Sequence, residues 1–371
     1  MDDGDDGKKR VLAVDDDPSM RLLIGLYLAK MGYETVEAAD GDAALAILEA
    51  DDALDLVLLD MNMPGRTGLE TLAAITHDRS RPHPPVIVVS GDSDKEHVLA
   101  AIRLGARDYV VKPFVPAPFL HRVSRWVNSR TEREWDRLDP HVSRVLKVTM
   151  EALDTAWRNG EQGAPVDYAP FAEIGDTLAD VASSTDTAAT LLEAIRRHDG
   201  YTFVHSVRTG TYLALFARAM GFDRARTATV AAGGTLHDIG KSRTPLEILN
   251  KPGPFDPDEW LVMKEHVTHT IDILRGSADI PADVLEIAWS HHEKLDGTGY
   301  PRGLKGDELS PLTRMASIVD AYVALTDRRV YKPAMPPEKA LAILADDTNH
   351  FDPALVTVFR EGVFRKRGDG G

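Results

Sequence analysis

The first 128 residues alternate short apolar stretches with amphipathic ones, and this alternation constrains the fold more than any other feature of the chain. We predict strands at residues 11–14, 35–38, 54–59, 86–89 and 109–111, and helices at residues 20–31, 42–49, 69–75, 95–104 and 116–130. Nearly continuous apolar strands are typical of parallel sheets that are covered on both faces. The pattern predicts a doubly wound α/β domain over residues 9–128, with ligand chemistry at the carboxyl ends of its strands.

Polar side chains that suit phosphoryl chemistry stand at these predicted strand ends, namely Asp15, Asp16, Asp60, Ser90 and Lys112. Carboxylates that converge are costly unless a divalent cation lies among them, and hard oxygen ligands suit Mg²⁺. Taken singly, each residue could belong to a helix cap or a turn. Because separate strand ends each supply a residue type that the chemistry needs, the set indicates that Asp60 accepts a phosphoryl group.

This part of the chain resembles the receiver domain of two-component response regulators. The matching motifs are Val14-Asp15-Asp16-Asp17-Pro18, Asp60-Met61-Asn62-Met63-Pro64 with Gly68, Ser90-Gly91, and Tyr109-Val110-Val111-Lys112-Pro113-Phe114. The resemblance implies that Asp60 is the phosphoacceptor and that a cognate sensor histidine kinase is a partner. It further implies a role for each of the other motif residues: Mg²⁺ binding by Asp15, Asp16, Asp60 and the Asn62 carbonyl, phosphoryl contacts from Ser90 and Lys112, an aromatic switch at Tyr109, and a cis Lys112–Pro113 bond.

Beyond residue 128 the chain shows helical periodicity without strand signals. This pattern predicts a helical connector over residues 129–192, broken near 160–165, and an all-α domain over residues 193–363. This domain concentrates histidine and aspartate at His205, His237, Asp238, His266, His291, His292 and Asp320. Imidazoles and carboxylates on separate helices can hold a pair of divalent ions in a helical core. A single histidine is more often an ordinary core or surface residue, and we assign no role to His198, His269 and His350.

Composition narrows the chemistry of both sites. The chain has no cysteine, so histidine nitrogen and carboxylate oxygen are the strong metal ligands available, and this set suits Fe, Mn, Ni or Zn. The net charge of -16 disfavours binding to nucleic acid polymers and anionic lipid. Neither a signal peptide nor an apolar run of membrane length is recognisable, so we expect a cytoplasmic protein without membrane insertion.

The helical half resembles the HD-GYP subgroup of the HD phosphohydrolases, an all-α superfamily. The matching motifs are Asp199-Gly200-Tyr201-Thr202 with His205-Ser206 and Arg208, His237-Asp238-Ile239-Gly240-Lys241, His266, His291-His292-Glu293, Asp296-Gly297-Thr298-Gly299-Tyr300-Pro301, Asp320, and Arg329-Val330-Tyr331-Lys332. The resemblance implies a metal-dependent phosphodiesterase that hydrolyses cyclic di-GMP.

The same resemblance assigns roles to individual residues. The histidine and aspartate residues named above would be the metal ligands, and Asp238 would bridge two ions and orient the attacking hydroxide. Lys241 would contact the scissile phosphate, while Arg329 and Lys332 would bind the rest of the cyclic dinucleotide. The loop with Gly299, Tyr300 and Pro301 would border the pocket and offer a contact surface to partner proteins.

Departures from the family pattern leave some questions open. Tyr201 stands where certain members carry a glutamate that gives a third metal, so we expect two divalent transition metals and linear pGpG as the main product, with further cleavage to GMP open. Thr270 replaces a common glycine, and Val323 a frequent aspartate. Two alternatives remain, namely a weakly active adaptor that recruits diguanylate cyclases (GGDEF proteins) and a phosphodiesterase for another cyclic dinucleotide. Phosphorylation of Asp60 would repack the face that includes Tyr109, which leaves homodimerisation or docking open as the route of control.

Overall fold

The computed structural model describes residues 8–77, 82–196, 198, 200–251, 253–327 and 334–364. Contacts between these residues divide the chain at Glu134 into two compact units, and His198 groups with the first unit. Across the described ranges, no helix combines the length and apolarity that a membrane span requires.

The first unit is a five-stranded parallel sheet in the order β2-β1-β3-β4-β5. The strands are β1 (Arg10–Val14), β2 (Glu34–Ala38), β3 (Leu56–Leu59), β4 (Val86–Ser90) and β5 (Asp108–Val111). The helices are α1 (Pro18–Lys30), α2 (Gly41–Ala50), α3 (Gly68–His77), α4 (Lys95–Arg103), α5 (Pro116–Trp126) and α6 (Ser129–Glu134). This strand order is one of the common doubly wound arrangements, and it confirms the predicted fold class.

The fifth helix is shorter than predicted: it ends at Trp126 and not at residue 130. The side-chain amide of Asn128 donates to the carbonyl oxygen of Ser124 at 3.2 Å. That hydrogen bond satisfies a carbonyl group that the ending helix leaves without a helical partner. A separate helix, α6, then begins at Ser129.

The second unit is all-helical. Its helices are α7 (Pro140–Glu161), α8 (Ala169–Val181), α9 (Thr185–Arg196), α10 (Tyr201–Ala219), α11 (Arg224–Leu236), α12 (Leu246–Leu249), α13 (Pro257–Arg275), α14 (Ala282–Ser290), α15 (Pro311–Thr326), α16 (Pro337–Asp346) and α17 (Pro353–Phe364). Short 3₁₀ helices lie at Trp135–Arg137, Ile239–Arg243 and Gly306–Glu308. Buried residues of α7 to α9 share one hydrophobic core with α10, α11, α13 and α14. Most of the predicted connector therefore packs into the unit that carries the histidine-rich site.

Glycine contacts between α10 and α11 bring two of the predicted ligands together. A Cβ atom at Gly234 would lie 3.0 Å from the Cα of Gly210, and one at Gly210 would lie 2.9 Å from the carbonyl oxygen of Ala231. The two helix backbones can approach this closely only because neither glycine carries a side chain. The ring centroids of His205, on α10, and His237, directly after α11, consequently lie 5.2 Å apart.

Candidate metal centre and phosphoryl-accepting site

The predicted metal ligands of the second unit come from five helices and meet in one buried cluster. His205 lies within α10, His237 and Asp238 follow α11, His266 lies within α13, His291 and His292 follow α14, and Asp320 lies within α15. All are buried except His292, which is partly exposed.

Asp238 occupies the centre of the cluster, and its two oxygens face different histidines. Oδ1 lies 3.2 Å from Nε2 of His266 and 3.7 Å from Nε2 of His291. Oδ2 lies 3.4 Å from Nε2 of His237 and 3.6 Å from Nε2 of His205. A carboxylate in this position is suited to bridging two cations.

Asp320, which lies on α15, is the second carboxylate of the cluster. Its Oδ1 lies 3.0 Å from Nε2 of His205 and 3.6 Å from Nε2 of His237, and its Oδ2 lies 3.4 Å from Nδ1 of His292. One ligand atom from each of Asp238, His266, His291 and His292 lies within 4.8 Å of all the others. The same holds for His205, His237 and Asp238. The structure thus brings together all seven residues predicted from the sequence and groups them around two positions.

Backbone contacts orient three of these imidazole rings. Nδ1 of each ring lies at hydrogen-bond distance from a carbonyl oxygen of the preceding helical turn, at 2.7 Å for His237, 2.6 Å for His266 and 3.1 Å for His291. Nδ1 can donate only when it carries the proton, so in the neutral form of each ring Nε2 has a lone pair that points into the cluster.

The inward-facing atoms have no other hydrogen-bond partner among the described residues. This is true of Nε2 in His237, His266 and His291, and of Oδ1 in Asp238, all of which are buried. Buried polar atoms are almost always satisfied, and acceptors that face one another need a cation or a proton between them. The donor set therefore fits a pair of divalent ions held by nitrogen and oxygen.

Burial and neighbouring charges set the protonation of the cluster. Burial by itself would raise the pKa of Asp238, but Lys241 and His237 hold that pKa well below its ordinary value. Burial lowers the pKa of His292 to about 3, which keeps this imidazole neutral. Burial also acts to lower the pKa of His237, yet Asp238 and Asp320 outweigh it and raise the pKa to about 10. A proton and a metal ion thus compete for Nε2 of His237.

The 3₁₀ helix after Asp238 places a cation beside the cluster. Lys241 donates from Nζ to Oδ2 of Asp238. The backbone N–H of Gly240 donates to the hydroxyl of Thr270 at 2.9 Å, which gives a structural reason for threonine at a position where glycine is common in the family. Lys241 is therefore within reach of an anion bound at the cluster.

The predicted Gly-Tyr-Pro loop lies directly over the cluster. The ring of Tyr300 packs on that of His292, with centroids 4.7 Å apart. A Cβ atom at Gly299 would lie 2.5 Å from the Cα of Glu293, so this position needs glycine for close approach. Gly297, by contrast, needs it for its φ of 83°. The Tyr300–Pro301 bond is cis.

Two buried acids support the site and were not predicted from the sequence. Glu293 is fully buried and accepts the backbone N–H groups of Arg302 at 2.8 Å and Leu304 at 2.9 Å. Asp327 lies 3.1 Å from Nδ1 of His205. Asp327 follows Asp320 by seven residues, and this helical spacing could have suggested that both acids share one face of α15. Two predicted substrate residues, Arg329 and Lys332, lie outside the described residues.

In the first unit, the carboxylates predicted to bind Mg²⁺ meet at the carboxyl edge of the sheet. Ligand atoms of Asp15, Asp16 and Asp60 lie within 4.8 Å of one another. Nζ of Lys112 donates to Asp15 at 2.6 Å and to Asp60 at 2.8 Å, and the backbone N–H of Asn62 donates to Asp60 at 2.9 Å. Burial would lower the pKa of Lys112, but hydrogen bonds to the two carboxylates raise it. This pocket can hold a cation and a phosphoryl group together.

The remaining predicted receiver residues lie next to this pocket. Ser90 is buried at the end of β4, and its hydroxyl accepts the backbone N–H of Asp92 at 3.2 Å. The ring of Tyr109 is buried, and its hydroxyl donates to the carbonyl oxygen of Asp92 at 2.8 Å. The Lys112–Pro113 bond is cis, as predicted. Ser90 and Tyr109 thus meet the same short loop after β4.

Comparison with known proteins places both units in families. The family model described as the response regulator receiver domain matches residues 11–124, and that described as the HD domain matches residues 183–355. A probable cyclic di-GMP phosphodiesterase of Vibrio cholerae is 34% identical over 368 residues, which cover 94% of this chain and 76% of that protein.

Two further relatives bear on the activity. The cyclic di-GMP phosphodiesterase response regulator RpfG of Xanthomonas campestris is 30% identical over 357 residues, which cover 95% of this chain and 87% of RpfG. A 3'3'-cGAMP-specific phosphodiesterase of Vibrio cholerae is 42% identical over 164 residues, which cover 44% of this chain and 35% of that protein. Two relatives that this chain matches over most of its length carry names that include cyclic di-GMP phosphodiesterase. The chain therefore belongs to the family of response regulators that join a receiver domain to an HD domain.

Proposed function

We propose that this protein hydrolyses a phosphodiester bond of cyclic di-GMP at a two-metal centre in its second unit. The observation that carries the proposal is the position of Asp238, whose Oδ1 faces His266 and His291 while its Oδ2 faces His205 and His237. Two cations, one on each side, would then share this carboxylate. The relatives named as cyclic di-GMP phosphodiesterases support the choice of substrate.

The residues of the cluster would have different roles in the reaction. Two divalent ions would supply an activated water and stabilise the negative charge that develops on the phosphate. Asp238 would bridge the ions and orient the attacking hydroxide, and Lys241, which already contacts Asp238, would bind the scissile phosphate. Arg329 and Lys332 would bind the remainder of the dinucleotide. With Tyr201 in place of a further acid, we propose two metals and linear pGpG as the main product, and GMP only if a second cleavage follows.

The test is metal analysis coupled to product identification. Protein purified without oxygen should contain Fe, Mn, Ni or Zn, and it should convert cyclic di-GMP to pGpG. His237→Ala and Asp238→Ala should each lower the hydrolysis rate by at least 100-fold, which corresponds to about 2.7 kcal/mol of transition-state stabilisation. His141→Ala is the matched control, because His141 is exposed in the first turn of α7. Metal-loaded protein that releases no product would favour the adaptor alternative, in which the loop recruits diguanylate cyclases.

A second substrate deserves the same assay, because a relative named for 3'3'-cGAMP is 42% identical to part of this chain. The ratio of kcat/KM for cyclic di-GMP to that for 3'3'-cGAMP measures the preference directly. A ratio above one supports cyclic di-GMP as the substrate, and a ratio below one reverses the assignment while leaving the metal chemistry intact.

We also propose that phosphorylation of Asp60, with Mg²⁺ held by Asp15 and Asp16, controls this hydrolysis. A phosphoryl group adds about 1.5 to 2 negative charges, and Lys112 and Ser90 lie where they could bind its oxygens. Tyr109 would then leave its present hydrogen bond to Asp92 and repack the surface around β5. The donor would be a sensor histidine kinase, and a homodimer could relay the change.

The control experiment compares wild type with Asp60→Ala, each with and without acetyl phosphate and Mg²⁺. Phosphorylation control predicts that the donor changes the rate of wild type alone. Equal rates in all four samples would exclude it. Because the substitution lies in the first unit, the metal content of the second unit should be the same in both proteins and serves as the internal reference.

A further inference from the structure

His205 differs from the other buried histidines of the cluster in what holds its ring. The Nδ1 atoms of His237, His266 and His291 face backbone carbonyl groups. Nδ1 of His205 faces a carboxylate instead, at 3.1 Å from Oδ2 of Asp327. A carboxylate on the outer nitrogen of a metal-bound histidine fixes the tautomer and makes the inner nitrogen a stronger ligand than a carbonyl does.

One helix contacts both nitrogens of this ring. Asp320 and Asp327 both lie on α15, two helical turns apart, and Asp327 is the C-cap residue of that helix. Oδ1 of Asp320 lies 3.0 Å from Nε2 of His205, on the cluster side, while Asp327 contacts Nδ1 on the far side. Asp327 is therefore placed to act on His205 and not to bind a metal in the cluster itself.

Asp327 is in turn held by an arginine from the helix that carries His205. Arg208 lies three residues after His205 on α10, and its Nη1 donates to Oδ1 of Asp327. Its Nη2 donates to the hydroxyl of Thr326 at 2.8 Å. Asp327 is only 3% exposed, and a buried carboxylate is costly unless it is paired in this way. Arg208 and His205 thus use the two oxygens of one acid.

We propose that Asp327, fixed by Arg208, is a positioning residue that presents the Nε2 lone pair of His205 to the metal position shared with His237 and Asp320. This inference rests on the proposed two-metal centre. The carboxylate accepts a hydrogen bond from Nδ1 of His205 and so keeps the proton on that nitrogen. This matters because a proton on Nε2 would prevent Nε2 from binding a metal. Loss of Asp327 should therefore weaken one of the two cation sites and spare the other, which His266, His291 and His292 form with Asp238.

The test titrates metal-free full-length protein with Mn²⁺ and follows free Mn²⁺ by electron paramagnetic resonance. Excess Mg²⁺ occupies the oxygen-ligand site of the first unit throughout. Wild type should bind two Mn²⁺ ions. Asp327→Ala should bind one ion as wild type does and the other about 10- to 100-fold more weakly. Asp327→Asn retains an oxygen that can accept from Nδ1, so its loss should be smaller.

Asp283→Asn provides the matched control, because Asp283 also pairs with an arginine of the same unit, at 3.0 Å from Nε of Arg226, but does not contact the cluster. It should bind Mn²⁺ as wild type does. Two unchanged sites in Asp327→Ala would overturn the positioning role, and so would an equal loss at both sites together with a lower melting temperature of the metal-free protein. Wild type that takes up no Mn²⁺ would overturn the two-metal centre as well, which distinguishes the two failures.

Discussion

The ring of Tyr300 packs against the ring of His292, with centroids 4.7 Å apart and planes inclined by 30°. The backbone N–H of Tyr300 also donates to the carbonyl oxygen of His292 at 3.2 Å. His292 is the partly exposed member of the cluster, and its Nδ1 faces Oδ2 of Asp320 at 3.4 Å, whereas Nδ1 of His237, His266 and His291 faces a backbone carbonyl group. The tyrosine of the Gly-Tyr-Pro loop therefore supplies the packing that the backbone supplies elsewhere.

This contact predicts different results for two substitutions. Tyr300→Ala removes the ring, so His292 gains freedom and the rate of cyclic di-GMP hydrolysis should fall about 10- to 100-fold, as for other groups that orient metal ligands. Tyr300→Phe keeps the ring and should stay within about twofold of wild type. Steady-state kinetics at equal metal content separates the two. A Phe variant as slow as the Ala variant would show that the hydroxyl matters, and it would contradict the packing role.

Glu293 predicts a loss of stability in the same loop. Glu293 is fully buried, and its two oxygens accept the backbone N–H groups of Arg302, which is exposed, and Leu304, which is half-buried. Glu293→Ala removes both hydrogen bonds, and a typical hydrogen bond contributes about 0.5–1.5 kcal/mol, so the free energy of unfolding should fall by about 1–3 kcal/mol. Urea denaturation measures this value.

Glu308→Ala is the control for that measurement. Glu308 also accepts a backbone N–H group, from Lys305 at 2.9 Å, but it is exposed, so water can replace it. Its free energy of unfolding should stay within about 0.5 kcal/mol of wild type. If both variants unfold at the same urea concentration, Glu293 does not anchor the loop.

Metal removal should destabilise the second unit. An ion that binds the folded state alone stabilises it by about 2.7 kcal/mol per site at 100 times its dissociation constant. Treatment with EDTA should lower the melting temperature, and Mn²⁺ should restore it. His291→Ala should lose most of this response because His291 faces Asp238 at 3.7 Å, whereas His269→Ala should keep it. A melting temperature of wild type that is indifferent to both reagents would contradict the metal centre.

The sequence predicted the first unit well because its signals are local. Each strand is a short apolar run, and the observed strands begin and end within two residues of the predicted ones. The end of α5 was missed, because helical periodicity does not show at which residue a helix ends. In the second unit the ligand residues followed from family motifs, not from spacing alone.

The supporting residues could not be predicted in this way. His205 and Asp327 are 122 residues apart in sequence, and their contact depends on how α10 packs on α15. The family motif includes Glu293, but the motif predicts neither the burial of this residue nor its two backbone partners. The inclusion of residues 135–196 in the second core likewise depends on which helix faces meet, and amphipathic helices do not specify their partners.

The last prediction concerns the glycine of the His-Asp-Ile-Gly-Lys motif. A Cβ atom at Gly240 would lie 2.0 Å from the carbonyl oxygen of His266 and 2.4 Å from the backbone nitrogen of Thr270. Gly240→Ala must therefore push α13 away from the 3₁₀ helix, which moves His266 relative to Asp238. We expect the free energy of unfolding to fall by about 1–3 kcal/mol, as for other overpacked cores, and hydrolysis to fall as well. Gly276→Ala is the matched control at the end of α13, because there the nearest atoms lie 3.5 Å away and φ is -74°. Urea denaturation and kinetics of both variants decide the matter, and a Gly240→Ala protein that matches Gly276→Ala in both would show that the two backbones do not need this close approach.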